Sequence, residues 1–507
     1  MACVALLGLA LLVRVPQWFD RPLGAYSDNE DAASHVLVTI VAYDHVPVSE
    51  HHFVPLFTAG ARHDLWIDDL PTASRMSARG YNYYTSWPPG FFVAAWAFHQ
   101  ALGMAPTPAS LRGLNIALHY SSVALLFLLC FKLAKKYGGS AAGPELWAPP
   151  TVAALVYLAA PEALRSHLFS YWAEQLWQPI MLLQLLAFLV GTRWPSIVAI
   201  GLLGLCGTLI DWTAYVSNGG YFLAFVWLYW RKRDARSLWG ALGIGLATLL
   251  GGGLLFIWFT SKVSLSELLA AQHYRAGVRT GGVLDYARLG LGYVLSLGPF
   301  LLLLVPVLMA ARAQGARQIW ARLPPGPFLF VAGFPVLENV LLANHASSYT
   351  YDRLKAVAFF GIVLAALLVA GVLPVRRLVA GSMLAAGLSI FSFWLVYSVY
   401  RPPTSPLLRQ RKDLGALIRQ TAHEDEIAFV NLQVRGHDVY YAGRNIVELD
   451  LEGQHGDAQG FIVPLLRRRQ FSKGVFYRVD EHLSKVAILR YGVDGTVSET
   501  SASLPGS

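Results

Sequence analysis

Charge is what this chain has least of: across 507 residues, Asp, Glu, Lys and Arg make up 14%, against 55% hydrophobic residues. Soluble globular domains carry about 25% charged residues. A water-soluble enzyme, a disordered chain and a nucleic-acid-binding protein are therefore excluded. Cysteine is scarcer still. Cys3, Cys130 and Cys206 each lie in an apolar run, so neither a disulfide framework nor a zinc site is indicated. The sequence also has no internal repeat, no heptad run and no nucleotide-binding glycine loop.

What it has instead is long apolar runs and a mean hydropathy of +0.46. A bilayer-crossing helix needs roughly 20 mostly apolar residues. Runs of that scale lie near 2–19, 113–131, 148–161, 174–191, 195–211, 219–230, 238–260, 287–311, 327–343, 354–373 and 378–399. The fold class expected is an all-α polytopic membrane protein of about 11 spans, occupying residues 1–400. Residues 401–507 lack a span-length run and read as a small soluble α/β domain: a helix over 407–421, then strands at 426–432, 438–443 and 486–492, with a polar loop at 445–460.

The net charge of +9 comes from short basic clusters between the runs. Lys132, Lys135 and Lys136, then Arg193, then Arg231 to Arg233, then Arg312, Arg317 and Arg322, then Arg376 and Arg377 fall in alternate connections. The positive-inside tendency places these in the cytoplasm. The segment 20–112 and the C-terminal domain then face outward, provided that the apolar stretch 88–104 does not cross. The expected location is the plasma (inner) membrane, multi-pass, with the chemistry on the periplasmic or extracellular side.

Ionisable side chains beside a membrane are costly and mark function, and here they gather on the outer side. SDNEDAASH (27–35) holds Asp28, Glu30, Asp31 and His35. Asp31 and His35 are four apart and share a helix face, a general-base arrangement that equally suits a divalent cation. The plainer reading is a helix cap in a solvated loop. SEHHF (49–53) pairs His51 with His52, of which only one can join Asp31. YNYYTSWPPG (81–90) holds Tyr84, and Pro88 with Pro89 fixes the start of an apolar helix. Glu174 opens a span, Asp211 ends one, and Glu338 lies just inside another. The loop 344–355 adds His345, Tyr349, Asp352, Arg353 and Lys355. Arg353 or Lys355 is expected to pair with Glu338, or to hold a phosphate, as Arg275 and Arg279 on an outer amphipathic stretch are.

Three segments, EDAASHVLVTIVAYDHVPVSEHHFVPL (30–56), YYTSWPPGFFVAAWAFHQALG (83–103) and ENVLLANHASSYTYDRLK (338–355), together resemble the GT-C glycosyltransferases. The bacterial members related to protein mannosyltransferases and the lipid A aminoarabinose transferase are the nearest in pattern, and VYYAGRNI (439–446) is similar to their outer domain. The resemblance implies transfer of a sugar from a polyprenyl-phosphate donor to an envelope glycan, lipid or protein acceptor, in contact with membrane lipid and with no nucleic acid involved. It makes an acid of the first outer loop the base and Glu174 a second carboxylate. The family pattern is Asp-Glu followed by Ala and an aromatic or His. Here Glu30-Asp31-Ala32-Ala33-Ser34-His35 shifts the pair, leaving the base between Asp31 and Asp28, with Asp31 favoured by its histidine. Donor and acceptor contacts fall to His35, His52, Tyr84, Pro88, Arg275, Arg279, His345, Tyr349, Arg353 and Lys355. No cofactor is required, and a divalent cation is the one left open. A transporter or flippase of lipid-linked sugars would show repeated halves with charges at mid-membrane. A polysaccharide polymerase or ligase would carry its main outer loop between late spans.

Overall fold

The computed structural model describes residues 8, 23, 28–59, 76–78, 81–138, 143–324, 326–396, 406–449, 457–480 and 483–504. The expected span at 2–19 lies, Gly8 apart, outside them. The first part of the chain is helical: α1 (Asp28–His45), α2 (Val48–His51), α3 (Gly90–Leu102), α4 (Pro108–Tyr137), α5 (Pro144–Ala159), α6 (Pro161–Phe169), α7 (Ala173–Val190), α8 (Trp194–Thr208), α9 (Thr213–Lys232) and α10 (Ala235–Thr260). There follow α11 (Leu265–Arg279), α12 (Val283–Leu297), α13 (Leu304–Gln314), α14 (Ala316–Arg322), α15 (Gly326–Gly333), α16 (Leu337–Leu341), α17 (Ala343–Ser348), α18 (Leu354–Val369) and α19 (Val375–Leu395). A two-stranded ribbon, β1 (Met76–Ala78) with β2 (Tyr81–Tyr83), precedes α3.

The centre of the bundle is α5, whose residues Val152 to Ala159 are all fully buried between α4 and α18. Among the described residues, five stretches are long and apolar enough to cross a membrane: α4, α7, α10, α19, and the run Val283–Gln314 that joins α12 to α13. The outward-facing apolar side chains of α10, such as Leu246, Leu249 and Ile257, are left bare for lipid. The chain is a multi-pass membrane protein. Several expected spans are shorter or broken. The 327–343 run is divided among α15, a 3-10 turn at Phe334–Val336 and α16, where Pro335 withdraws a backbone donor. At 13 residues, α3 is roughly 20 Å long at 1.5 Å per residue, short of the hydrocarbon thickness. The proline pair does open it, with Pro89 as the N-cap. Gly90 is required there: its N–H donates to Leu209 O at 2.9 Å, and a Cβ would fall 2.3 Å from that oxygen.

The C-terminal part is α/β, as its sequence indicates. Helix α20 (Pro406–Thr421) leads into β3 (Glu426–Val430), α21 (Gly436–Ala442), β4 (Ile446–Glu448), α22 (Ala458–Arg469), β5 (Lys473–Val479), β6 (Lys485–Gly492) and β7 (Val497–Ser503). The sheet order is β4-β3-β5-β6-β7, with β3 parallel to both neighbours and the last two pairings antiparallel. One expected strand is corrected. DVYYAG (438–443) is the helix α21, because Asp438 accepts from Arg435 N at 3.0 Å at its start and Gly443 ends it at φ 62°. Its two tyrosines are apolar for another reason than sheet pairing. They dock on the membrane part, Tyr440 donating to Pro106 O at 3.0 Å and Tyr441 meeting Leu23 N.

Candidate active site

Two buried polar clusters lie in the protein, joined by a row of aromatic rings. The first is centred on Asp31, in the first turn of α1. It is 8% exposed. Helical spacing brings His35 Nε2 to 3.4 Å from Asp31 Oδ2, as the sequence predicts. Ser34 Oγ donates to Asp31 Oδ1 at 2.5 Å. The remaining partners come from the C-terminal domain: His437 Nδ1 lies 3.2 Å from Oδ1, and Gly436 N donates to Oδ2 at 3.4 Å. Burial pushes the Asp31 carboxyl up, but His35 and His437 outweigh it and hold it well below the usual carboxylate range. The carboxylate borders a cavity of about 180 Å³ between α1 and α21, lined also by Phe57, Gln433, Arg435, Val439 and Asn445.

The second cluster lies where α7, α9, α16 and α18 begin. Lys355 pairs with Glu338, and Thr213 bridges them, donating to Glu338 and accepting from Lys355 Nζ at 3.2 Å. His345 pairs with Asp352, whose carboxyl burial raises but His345 and Lys355 hold below its usual range. Glu174, 1% exposed, sits beside Asp211, Asp352 and Lys355, with its carboxyl in hydrogen-bond contact with that of Asp352. Asp211 accepts from Thr213 N at 2.8 Å through Oδ1, and its Oδ2 has no hydrogen-bond partner.

The rings between the clusters run His35–Phe57 and Phe57–Tyr84 at 4.4 Å each, Tyr84–Trp172 at 6.4 Å, Trp172–Trp87 at 5.9 Å and Trp87–His345 at 5.7 Å. Arg279, at the end of α11, lies over Trp87 at 5.3 Å, and Tyr349 stacks against His345 at 4.4 Å. Pro88 is buried in the turn that carries Trp87 into α3.

The structure thus brings Asp31, His35 and Tyr84 to one end of the row and Glu174, Arg279, His345, Tyr349 and Lys355 to the other. The side chains of Asp28, Glu30 and Arg275 lie outside the described residues. His52 stands apart, in a left-handed turn where it contacts Ser261 Oγ at 3.3 Å and its carbonyl accepts from Trp258. Of the two expected partners of Glu338, Lys355 is the one found. Arg353 is enclosed elsewhere: its guanidinium meets Glu162 Oε2 at 3.0 Å, Ser296 Oγ at 2.8 Å and Ala346 O at 2.7 Å. Glu162, Asp352 as a partner of His345, and His437 are the participants that sequence reasoning missed. Among the described residues, no group of three or more His, Cys, Asp or Glu is arranged to hold a metal ion.

No protein-family model and no curated protein sequence matches this chain. Solved structures do. ArnT from Cupriavidus metallidurans, in complex with undecaprenyl phosphate, superposes with a TM-score of 0.58 at 14% identity, covering 94% of this chain and 93% of that one. Its apo state gives 0.57 at 13% identity with the same coverage. The oligosaccharyltransferase of Archaeoglobus fulgidus, tethered to an acceptor peptide, gives 0.50 at 12% identity over 99% of this chain and 74% of that one. The chain therefore shares the fold of these solved structures.

Proposed function

We propose that this chain is an integral membrane glycosyltransferase that moves a hexose or pentose from a polyprenyl-phosphate donor to an acceptor on the outer face of the plasma membrane. The observation that carries the reading is Asp31, a buried carboxylate kept ionised beside a cavity in a membrane protein of this fold. The undecaprenyl phosphate bound by ArnT supports a lipid-phosphate donor. Residues 1–400 hold the chemistry, and 401–507 form the roof over the acceptor side, outside the cell or in the periplasm.

The acceptor's hydroxyl or amine lies in the cavity between α1 and α21, against Asp31. As its oxygen or nitrogen forms the bond to the anomeric carbon, its proton passes to Asp31. The bond from that carbon to the phosphate oxygen breaks, and polyprenyl phosphate leaves as a stabilised anion. Such a leaving group gains more from fixed cations than from a general acid. Lys355 and Arg279 supply them, and Glu174 and Asp211 accept hydrogen bonds from sugar hydroxyls. A single displacement inverts the anomeric configuration.

Binding of the lipid phosphate is testable before the sugar is identified. Undecaprenyl phosphate is expected to raise the unfolding temperature of the purified, detergent-solubilised chain, whereas undecaprenol is not. The Lys355→Met variant should lose most of that shift. Equal responses to the phosphate and the alcohol would contradict a lipid-phosphate site.

A further inference from the structure

We infer that His437, supplied by the C-terminal domain, is the positioning residue of the Asp31 base, so that the outer domain completes the active site as well as covering it. This inference rests on the assignment of Asp31 above. Its support is a series of polar contacts that begins on α20 of the C-terminal domain. Arg411 Nη1, on α20, donates to Asp438 Oδ2 at 2.7 Å. Asp438 Oδ1 lies 3.3 Å from His437 Nε2, a close contact without the alignment of a hydrogen bond. His437 Nδ1 then meets Asp31 Oδ1 at 3.2 Å.

The junction is too close to be incidental. A Cβ on Gly436 would lie 2.6 Å from Ser34 Oγ and 3.2 Å from the His35 ring, so this glycine is what lets α21 reach α1. His437 is 1% exposed and cannot turn to solvent without parting the domains. With Ser34 and His437 both on Oδ1, that oxygen is fixed. Oδ2, held by the weaker contacts of Gly436 N and His35 at 3.4 Å, is the one placed to accept the acceptor's proton. Removing His437 would free the carboxylate to rotate. It would also remove one of the two imidazoles that oppose the cost of burying the charge.

The test needs no substrate. Dicyclohexylcarbodiimide, an apolar reagent, modifies carboxyls that carry a proton, and the labelled Asp31 peptide is quantified by mass spectrometry on the full chain in detergent at pH 6. Asp31 in the wild type is expected to stay unlabelled. His437→Leu should label at least tenfold faster. His437→Asn, whose amide can still donate, should lie between them, and Asp438→Asn should also raise the rate if the leucine variant fails to fold. Equal labelling in wild type, Asp438→Asn and His437→Asn would overturn the inference. Undecaprenyl phosphate binding, measured on the same samples, reports separately on the transferase reading, so either can fail without the other.

Discussion

Asp31 and His35 were legible because a carboxylate and an imidazole four residues apart meet on any helix, and they do, at 3.4 Å. His437 was not, since nothing local marks a histidine that pairs across 406 positions. The neighbouring histidines show the same limit in another form. His51 and His52 look alike in sequence, yet His51 is the buried one, accepting from Phe53 N at 2.8 Å and stacked on Tyr43. Burial, with help from His52 and Lys262, pulls the His51 imidazole down to about 4. Its folded form therefore resists a proton that the unfolded chain takes up near pH 6.5. Stability is full above that value and falls as pH drops towards 4. Asp31 works in a lower window: its contribution is present above the ordinary Asp value and is lost only as pH falls through its depressed one. The thermal unfolding temperature in detergent is expected to fall between about pH 6.5 and 4 in the wild type and to do so less in His51→Gln. Parallel pH profiles would remove His51 as the cause.

Elements were legible where period and capping agreed. The helix over 407–421 and the strands at 426–432 and 486–492 stand where sequence pattern places them. The segment 438–443 misleads because Val-Tyr-Tyr favours strands, while its cap at Asp438 and its docking tyrosines demand a helix. The short β4 and the polar β7 carry no such pattern. Arg353 was read as a ligand for phosphate because cations are unusual on the outer side. Where α6, α12 and α18 meet, it is instead matched with Glu162 and Ser296, and Gly292 leaves the space its guanidinium fills. Removing one member of a buried pair costs about 3–5 kcal/mol because the other charge is stranded. Arg353→Ala is expected to unfold at markedly lower temperature, and Glu162→Leu with Arg353→Met to recover much of the loss. Normal stability in Arg353→Ala, combined with weakened undecaprenyl phosphate binding, would restore it as a donor ligand.

At the level of the whole molecule, composition alone made the chain a membrane protein, and the clustering of acids and cations in a few connections supplied the candidate residues for the proposed chemistry. Composition could not give the way two domains share one site. Glu174, Lys355 and Arg279 lie towards one end of an aromatic row whose other end, His35, adjoins Asp31, and the C-terminal domain meets Asp31 through α21. Such an arrangement suits a donor anchored in lipid and an acceptor arriving from outside. The most direct test incubates purified chain with radiolabelled polyprenyl-phosphate sugars and an envelope extract as acceptor, comparing wild type with Asp31→Asn. Label is expected to leave the lipid with wild type, and the variant, equally well folded, to be slower by at least about a hundredfold, the range of a lost general base. Transfer by Asp31→Asn at the wild-type rate would contradict the assignment of the base. Release by neither protein across the donor panel would contradict sugar transfer itself.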